Sequence, residues 1–351
     1  MIKCETGEGD DLRLVKLSKK INPNIDTISI SKGFYKINHF GLKIPMYIPK
    51  LICLDDRIFK CNKKQKNKFG SLGLVVKYTN VDNEKDTRAV KVTSVKKLES
   101  IKIKNYENFV KNELIFYSNL SEYKEYPKCI IPADCCFCYK IDNIQFSYLV
   151  MKWIDNTLDY YIPKFNSIEK YDIINKLCEL LYEFKSLGFV HNDFKTLNIM
   201  CDWNDILKEY QLFLIDFNCY NKNNGDNLCG GHSFAFASPQ VILSRNEDCY
   251  QLFSNDIWCL GIIIFKVLNG IDSKMFLKPV KKELLEFNLY SVLINFICSK
   301  GESHIDLVKC QKIATKLPSK YLNIIERCFV FDSKSRITIE SIVDILKLKR
   351  I

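Results

Sequence analysis

Residues 189–201, FVHNDFKTLNIMC, constrain this chain more than any other stretch. His191, Asp193, Lys195 and Asn198 fall at the spacing H-x-D-x-K-x-x-N, so a carboxylate, an ammonium and a carboxamide stand within a few positions of one another. Just upstream, Ile173, Ile174, Leu177, Leu180, Leu181 and Phe184 repeat at helical spacing over 167–186, and Gly188 ends that helix. A buried helix is therefore expected to deliver the polar loop.

Companion segments follow in order along the chain. A lysine-rich run, Lys60, Lys63, Lys64, Lys66 and Lys68, leads into Phe69-Gly70-Ser71-Leu72-Gly73-Leu74-Val75. Arg88-Ala89-Val90-Lys91 comes 91 − 75 = 16 residues after Val75, a hairpin distance. Over 105–120, Val110, Leu114 and Tyr117 mark one apolar helix face, and Glu113 lies on it. A carboxylate turned towards a core needs a cation. Apolar strands are expected over 129–139 and 144–151, the second running into Met151-Lys152-Trp153-Ile154, and Asp155-Asn156 opens a second lobe. Leu212-Phe213-Leu214-Ile215 reads as a strand carrying Asp216-Phe217-Asn218, 216 − 193 = 23 residues beyond Asp193. Ala237-Ser238-Pro239-Gln240, Asp256-Ile257-Trp258-Cys259-Leu260-Gly261 and Arg336 complete the series. Residues 281–349 are expected to be amphipathic and helical; residues 1–50, with an apolar stripe at 44–48, carry no assignable chemistry.

In this order the motifs resemble those of the protein kinase superfamily, of the eukaryotic Ser/Thr type, over residues 69–336. The resemblance implies an α+β, bilobal fold: an extension of unknown role at 1–50, a small β-rich N-lobe at 51–154 and a larger α-helical C-lobe at 155–351. It implies ATP and Mg²⁺, with Asp193 orienting the substrate hydroxyl, Lys195 steadying the γ-phosphate, and Asn198 and Asp216 holding the metal. Lys91, paired with Glu113, would hold the α and β phosphates. Gly70 and Gly73 would be the second and third glycines of a loop that closes over them. Val75 and Ala89 would roof the adenine and Met200 would lie beneath it, with Met151 as gatekeeper and the backbones of Lys152 and Ile154 bonding its edge. Asp256 would brace the catalytic-loop backbone.

Four positions depart from the pattern. Lys68 replaces the first glycine, Asn192 an arginine, Asn218 a glycine and Gln240 a glutamate whose arginine partner would be Arg336. Asn218 is a mild change, because asparagine tolerates left-handed backbone angles. Between Asn218 and Ser238 the only hydroxyls are Tyr220 and Ser233. Ser233 stands where the family has a threonine bonded to the catalytic Asp and Lys. An amide at 192 cannot neutralise a phosphate, so activity without activation-loop phosphorylation is expected. The implied reaction is phosphate transfer to Ser/Thr hydroxyls of proteins, since Lys195 sits where that branch carries it. A pseudokinase acting as a binding module and a small-molecule phosphotransferase are the alternatives; Lys195, residues 238–240 and residues 256–261 speak against the second. The H-N-D before the lysine is similar to kinases of insect large DNA viruses such as the baculoviral type, which implies basic nucleoprotein substrates. Leu197 is apolar where basic-directed members carry an acid.

Composition sets bounds. At 351 residues the chain can bury two modest lobes. Its 52 Lys+Arg against 41 Asp+Glu give +11, a basic surface that suits acidic neighbours, although nucleic acid is not expected as a direct ligand. Sixteen cysteines are scattered, and no signal peptide is expected before them, which reads as a reducing, intracellular compartment, cytoplasmic or nuclear. Cys135, Cys136 and Cys138 lack a second CxxC or a paired histidine, so they are expected as buried thiols and not zinc ligands. The most apolar run, 257–268, is too short to span a bilayer and is interrupted by Lys266, so no membrane partner is expected. The sequence leaves the oligomeric state open.

Overall fold

The computed structural model describes residues 27–31, 33–38, 45–62, 68–69, 73–94, 106–120, 123–141, 144–222, 233, 236–238, 240–241, 253–270, 319–330 and 332–348. Gly70, the lysines at 63, 64 and 66, and the helical stretch expected over 281–318 lie outside them. The chain divides into two compact units, Met1–Ile154 and Asp155–Ile351.

The first unit is built on strands, taken in chain order as β1 (Ile28–Ile30), β2 (Phe34–Asn38), β3 (Pro45–Pro49), β4 (Leu51–Leu54), β5 (Arg57–Cys61), β6 (Lys68–Phe69), β7 (Gly73–Asn80), β8 (Thr87–Ser94), β9 (Ala133–Ile141) and β10 (Ile144–Lys152). An eight-stranded antiparallel sheet has the order β1-β4-β5-β7-β8-β10-β9, with β6 also on β7. Strand β9 begins after Pro132, later than the sequence predicts, because residues before it turn through the Ile130 N–H to Pro127 carbonyl bond and proline offers the ladder no donor.

Side-chain alternation decides what each sheet face does. Leu74, Val76 and Tyr78 of β7, Val90 and Val92 of β8, and Phe146, Tyr148 and Val150 of β10 share one core with Met46, Tyr47 and Ile48 of β3. The β2–β3 hairpin thus covers that face, tied down where the Tyr148 hydroxyl donates to the Tyr47 carbonyl at 2.8 Å and the Tyr78 hydroxyl to the Pro49 carbonyl at 2.6 Å. Met46, Tyr47 and Ile48 of the apolar stripe are therefore core, and residues before position 51 contribute three strands to this unit. The odd-numbered positions of β7, β8 and β10 point to the opposite face, against which helix α1 (Tyr106–Leu120) is held by an ion pair described below. Cys135 and Cys136 are buried in β9 whereas Cys138, expected to be buried with them, is half-buried, and among the described residues no group of three or more His, Cys, Asp or Glu side chains is placed to hold a metal.

The second unit begins with β11 (Asn156–Thr157) and the short helix α2 (Leu158–Tyr161), then α3 (Ser167–Ser186). Asn166 starts α3 with a capping box: its side-chain oxygen accepts from the N–H groups of Ile168 and Glu169, and Glu169 accepts from the Asn166 N–H. Gly188, at φ +80°, ends it in a left-handed conformation that glycine adopts without strain. Strands β12 (Phe189–Val190), β13 (Ile199–Asn204), β14 (Glu209–Leu214) and β15 (Asn221–Lys222) frame the polar loop, with β12 on β15 and β13 between β11 and β14. Helices α4 (Phe253–Asn269), α5 (Ser319–Cys328) and α6 (Ile339–Leu346) follow.

Helix α4 is buried on every side from Asn255 to Leu268. No helix among the described residues is long and apolar enough to cross a membrane. At Gly261 an added Cβ would stand 2.7 Å from the Cβ of Cys328 and 3.0 Å from the ring of Phe329, so α4 and the end of α5 approach as only glycine allows. Gly261→Ala is expected to destabilise the protein by about 1–3 kcal/mol through overpacking, read as a lower denaturation midpoint; an unchanged midpoint would show that this approach is looser than described.

Candidate active site

In the first unit the face opposite the hairpin-covered core collects the predicted nucleotide-side residues. Antiparallel register sets Val75 beside Lys91 and Met151 beside Ala89, and strand alternation puts all four on that one face. Lys91 Nζ reaches Glu113 of α1 at 2.9 Å to Oε1 and 2.7 Å to Oε2. Glu113 is 4% exposed, on the same stretch as buried Leu114, Phe116, Tyr117 and Leu120, so its ionised carboxylate depends on the ammonium. The pair fixes a lysine that would otherwise sweep freely at the sheet surface. Gly73 opens β7 for a reason of packing: a Cβ there would meet the Val92 carbonyl oxygen at 2.6 Å. Lys152 is exposed at the end of β10 while Ile154 is buried.

In the second unit the loop delivered by α3 and β12 closes on Asp193. Lys195 Nζ donates to Asp193 Oδ2 at 2.5 Å, the Asn198 amide donates to the same oxygen at 2.9 Å, and the Ser233 N–H donates to Oδ1 at 3.1 Å. Lys195 also contacts the Ser233 hydroxyl at 2.6 Å. The carboxylate is thus oriented from three sides, by one cation and by N–H donors.

The β13–β14 ladder brings Asn198 and Asp216 together. Ile199 pairs with Leu214, and the Ile215 N–H donates to the Asn198 carbonyl at 3.0 Å, so one residue precedes the ladder where the other leaves it. Asn198 spends its amide nitrogen on Asp193, so its amide oxygen is the end that could ligate a metal. An amide oxygen and a carboxylate are hard donors that fit Mg²⁺, and one or two such protein ligands are what that ion takes when phosphates complete its shell. Met200, next along β13, is buried.

The left-handed residue at this corner is Asp216, at φ +67°, and not Asn218 as the sequence suggested. Asn218 lies in the 3-10 turn Phe217–Cys219 and donates its amide to Asp216 Oδ1 at 2.5 Å. Left-handed backbone costs a non-glycine residue roughly 1–2 kcal/mol, and that amide bond holds the carboxylate in place against the strain. Asn192 is left-handed too, at φ +63°, and its amide donates to the Cys219 carbonyl at 3.0 Å. Asn192 and the Asp216 turn are thereby tied directly.

Asp256 holds the loop from beneath. Its two oxygens accept from the His191 N–H at 2.7 Å and the Asn192 N–H at 3.0 Å, and its side chain has no solvent exposure. Burial pushes its carboxyl up to about 7, partly offset by those two donors. His191 is equally buried; its ring bonds the Ile215 carbonyl through Nε2 at 3.1 Å and accepts the Asp193 N–H at Nδ1 at 3.3 Å, which assigns the neutral Nε2–H tautomer. Burial pulls the imidazole below its ordinary value, against the pull of Asp193. A base with a lowered folded value is protonated first in the unfolded chain, so this site loses stability as pH falls through about 6.5. Asp256, raised, has the opposite sign: its contribution is lost as pH rises towards about 7. Wild type should therefore lose more of its denaturation midpoint than His191→Phe between about pH 7.5 and about pH 5.5; parallel midpoints would refute a neutral buried His191.

Two structural ties complete the site. Arg336 is buried and donates to the Gln240 side-chain oxygen, to the Ser254 carbonyl at 2.8 Å and to the Val330 carbonyl at 2.8 Å, with its guanidinium 5.1 Å from the centre of the Trp258 ring. Ser238 donates to Asn255 of α4 at 2.6 Å. The sequence did not single out Asp159, Thr196 or the burial of Lys266, which form a further cluster under the loop.

The protein kinase domain family matches residues 63–345. The chain is similar to Aurora kinase of Saccharomyces cerevisiae, 26% identical over 244 residues that cover 67% of this chain and 58% of that one. It is similar to dual specificity protein kinase zak2 of Dictyostelium discoideum, 26% identical over 141 residues, 38% of this chain and 21% of that one. Over 83 residues, 23% of this chain and 13% of the other, it is 36% identical to a probable serine/threonine-protein kinase KIN1 homolog of Enterocytozoon bieneusi. The matches thus span 13% to 58% of the length of these relatives. With a family match over most of its length, spanning the loop at Asp193, this chain belongs to the protein kinase family.

Proposed function

We propose that the chain transfers the γ-phosphate of ATP to serine or threonine hydroxyls of protein substrates, using Mg²⁺. The observation that carries this reading is the Asp193 carboxylate gripped by Lys195, Asn198 and Ser233. Asp193 accepts a hydrogen bond from the acceptor hydroxyl and takes its proton as the oxygen bonds to the γ-phosphorus and the bond to the β–γ bridging oxygen breaks. Lys195 offsets the charge on the moving phosphoryl group. Lys91, braced by Glu113, holds the α and β phosphates, with Val75, Ala89, Met151 and Met200 packing on the adenine, the backbones of Lys152 and Ile154 bonding its edge and Gly70 and Gly73 in the covering loop. Asn198 and Asp216 would hold Mg²⁺, which when bound would supply positive charge against the phosphate oxygens. Catalysis is positioning plus charge neutralisation.

Activation-loop phosphorylation is not required in this reading. Tyr220 is 1% exposed and packs edge-on against Phe189, and the Ser233 hydroxyl is engaged by Lys195. Where a cation would await a phosphate, Asn192 already bonds the Cys219 carbonyl. The described cysteines are free thiols, which suits a reducing compartment.

Labelled γ-phosphate from ATP and Mg²⁺ should appear as phosphoserine or phosphothreonine on one or more of a panel of basic, acidic and neutral proteins. Asp193→Asn should lower kcat by about 10³-fold and Lys91→Met by about 10²-fold, both while remaining folded. Nucleotide binding without transfer would indicate a binding module, and transfer only to a small hydroxylated molecule would move the substrate class. Phosphatase-treated enzyme should keep its activity within about twofold; a deep loss reversed by phosphate at Tyr220 or Ser233 would refute phosphate-independent activity.

A further inference from the structure

Helix α4 carries a second ionisable residue as deeply buried as Asp256. Lys266, ten positions further along, has no solvent exposure and sits in the run Ile262-Ile263-Ile264-Phe265-Lys266-Val267-Leu268. Its ammonium donates to Asp159 Oδ1 of α2 at 3.1 Å and to the Thr196 hydroxyl oxygen at 3.1 Å, and lies 5.1 Å from the centre of the Phe236 ring. Thr196 is also wholly buried, and its hydroxyl donates to the same Asp159 oxygen at 2.6 Å. The three side chains close a triangle in which each touches the other two.

Stability alone does not account for that triangle. Desolvating an ammonium and a carboxylate costs more than a pair usually returns, and an apolar side chain would fill this place in α4 at lower cost. What the ion pair adds is direction: a fixed oxygen and a fixed N–H donor that together dictate where the Thr196 hydroxyl stands. Thr196 follows Lys195 and opens the 3-10 turn Thr196–Asn198, so its position sets the backbone that carries both Lys195 and Asn198. Asp256 fixes the loop at 191–192; nothing in that contact fixes its far end.

We propose that Lys266 and Asp159 are positioning residues that, through Thr196, hold the 195–198 turn in register with Asp193. One helix then grips the catalytic loop twice, at its entrance by a carboxylate and at its exit by an ammonium. This inference rests on the phosphotransfer reading above, with Asp193→Asn as the control that reports on that reading separately.

The decisive variant is Thr196→Val, which keeps the shape, leaves the Lys266–Asp159 pair intact and removes only the hydroxyl link; Thr196→Ser restores the link. Thr196→Val should lower kcat by about 10- to 100-fold, with KM for ATP changed less than about threefold, and Thr196→Ser should stay within about threefold of wild type. The double variant Lys266→Met with Asp159→Leu removes both buried charges together, so it should fold and show the same loss in kcat. A Thr196→Val enzyme with wild-type kcat, a loss expressed in KM alone, or a serine variant as impaired as the valine one would overturn the proposal. Absence of transfer by wild type would instead count against the phosphotransfer reading.

Discussion

A carboxylate with no access to water holds the polar loop of the second unit. Asp256 lies near the start of a helix buried on all sides, and its two oxygens are satisfied by consecutive backbone N–H groups of the loop it underlies. That contact decides where His191 and Asn192 sit. Their positions in turn place the Asp193 N–H on the imidazole, the imidazole on the Ile215 carbonyl and the Asn192 amide on the Cys219 carbonyl. A single buried acceptor thus orients the backbone of one loop and, through two side chains, the exit of the neighbouring strand with its Asp216. The cost of burying the charge shows in the raised value of Asp256 itself.

In the first unit the organising constraint is the two-residue period of the strand. With Leu74, Val76, Val90, Val92, Phe146, Tyr148 and Val150 committed to the core beneath the β2–β3 hairpin, the intervening positions have no choice but to face the other way. Val75, Ala89, Lys91 and Met151 are four such positions. The sheet therefore supplies a small apolar surface with one lysine in it, and Glu113 from α1 keeps that lysine aimed.

Much of this was legible in the chain, and the parts that were not share a cause. The helix at 167–186, the strands and the loop spacing announce themselves through periodicity and short-range order, because capping, turns and alternation are local. The Lys91–Glu113 contact was foreseeable since a carboxylate on an apolar helix face needs a cation. Asp159 and Thr196 gave no such signal: each is ordinary in a polar stretch, and only folding brings them under one ammonium. Lys266 did signal, as a charge inside a run of isoleucines, but its partners are 107 and 70 residues away and no local pattern names them. Asparagine's tolerance of left-handed backbone favours Asn218 at this corner, yet it is Asp216 that adopts that conformation, and the asparagine serves as the side chain that steadies it. Strands before position 51 were missed because an apolar stripe of five residues does not say which sheet it will cover.

Three of the four departures from the kinase pattern put an amide where the pattern has a charged residue or a glycine, and all three amides are in use. Asn192 donates to the Cys219 carbonyl, Asn218 to Asp216, and Gln240 accepts from Arg336. A carboxamide offers a donor and an acceptor at fixed separation and needs no counter-ion, so these links survive without a phosphate to neutralise or a proton to lose. Ion pairs stand beside these amides: Asp193 with Lys195, Lys91 with Glu113, Asp159 with Lys266. Amide hydrogen bonds and ion pairs alike thus join segments distant in sequence, and the loop is held in one arrangement by contacts the folded chain supplies by itself.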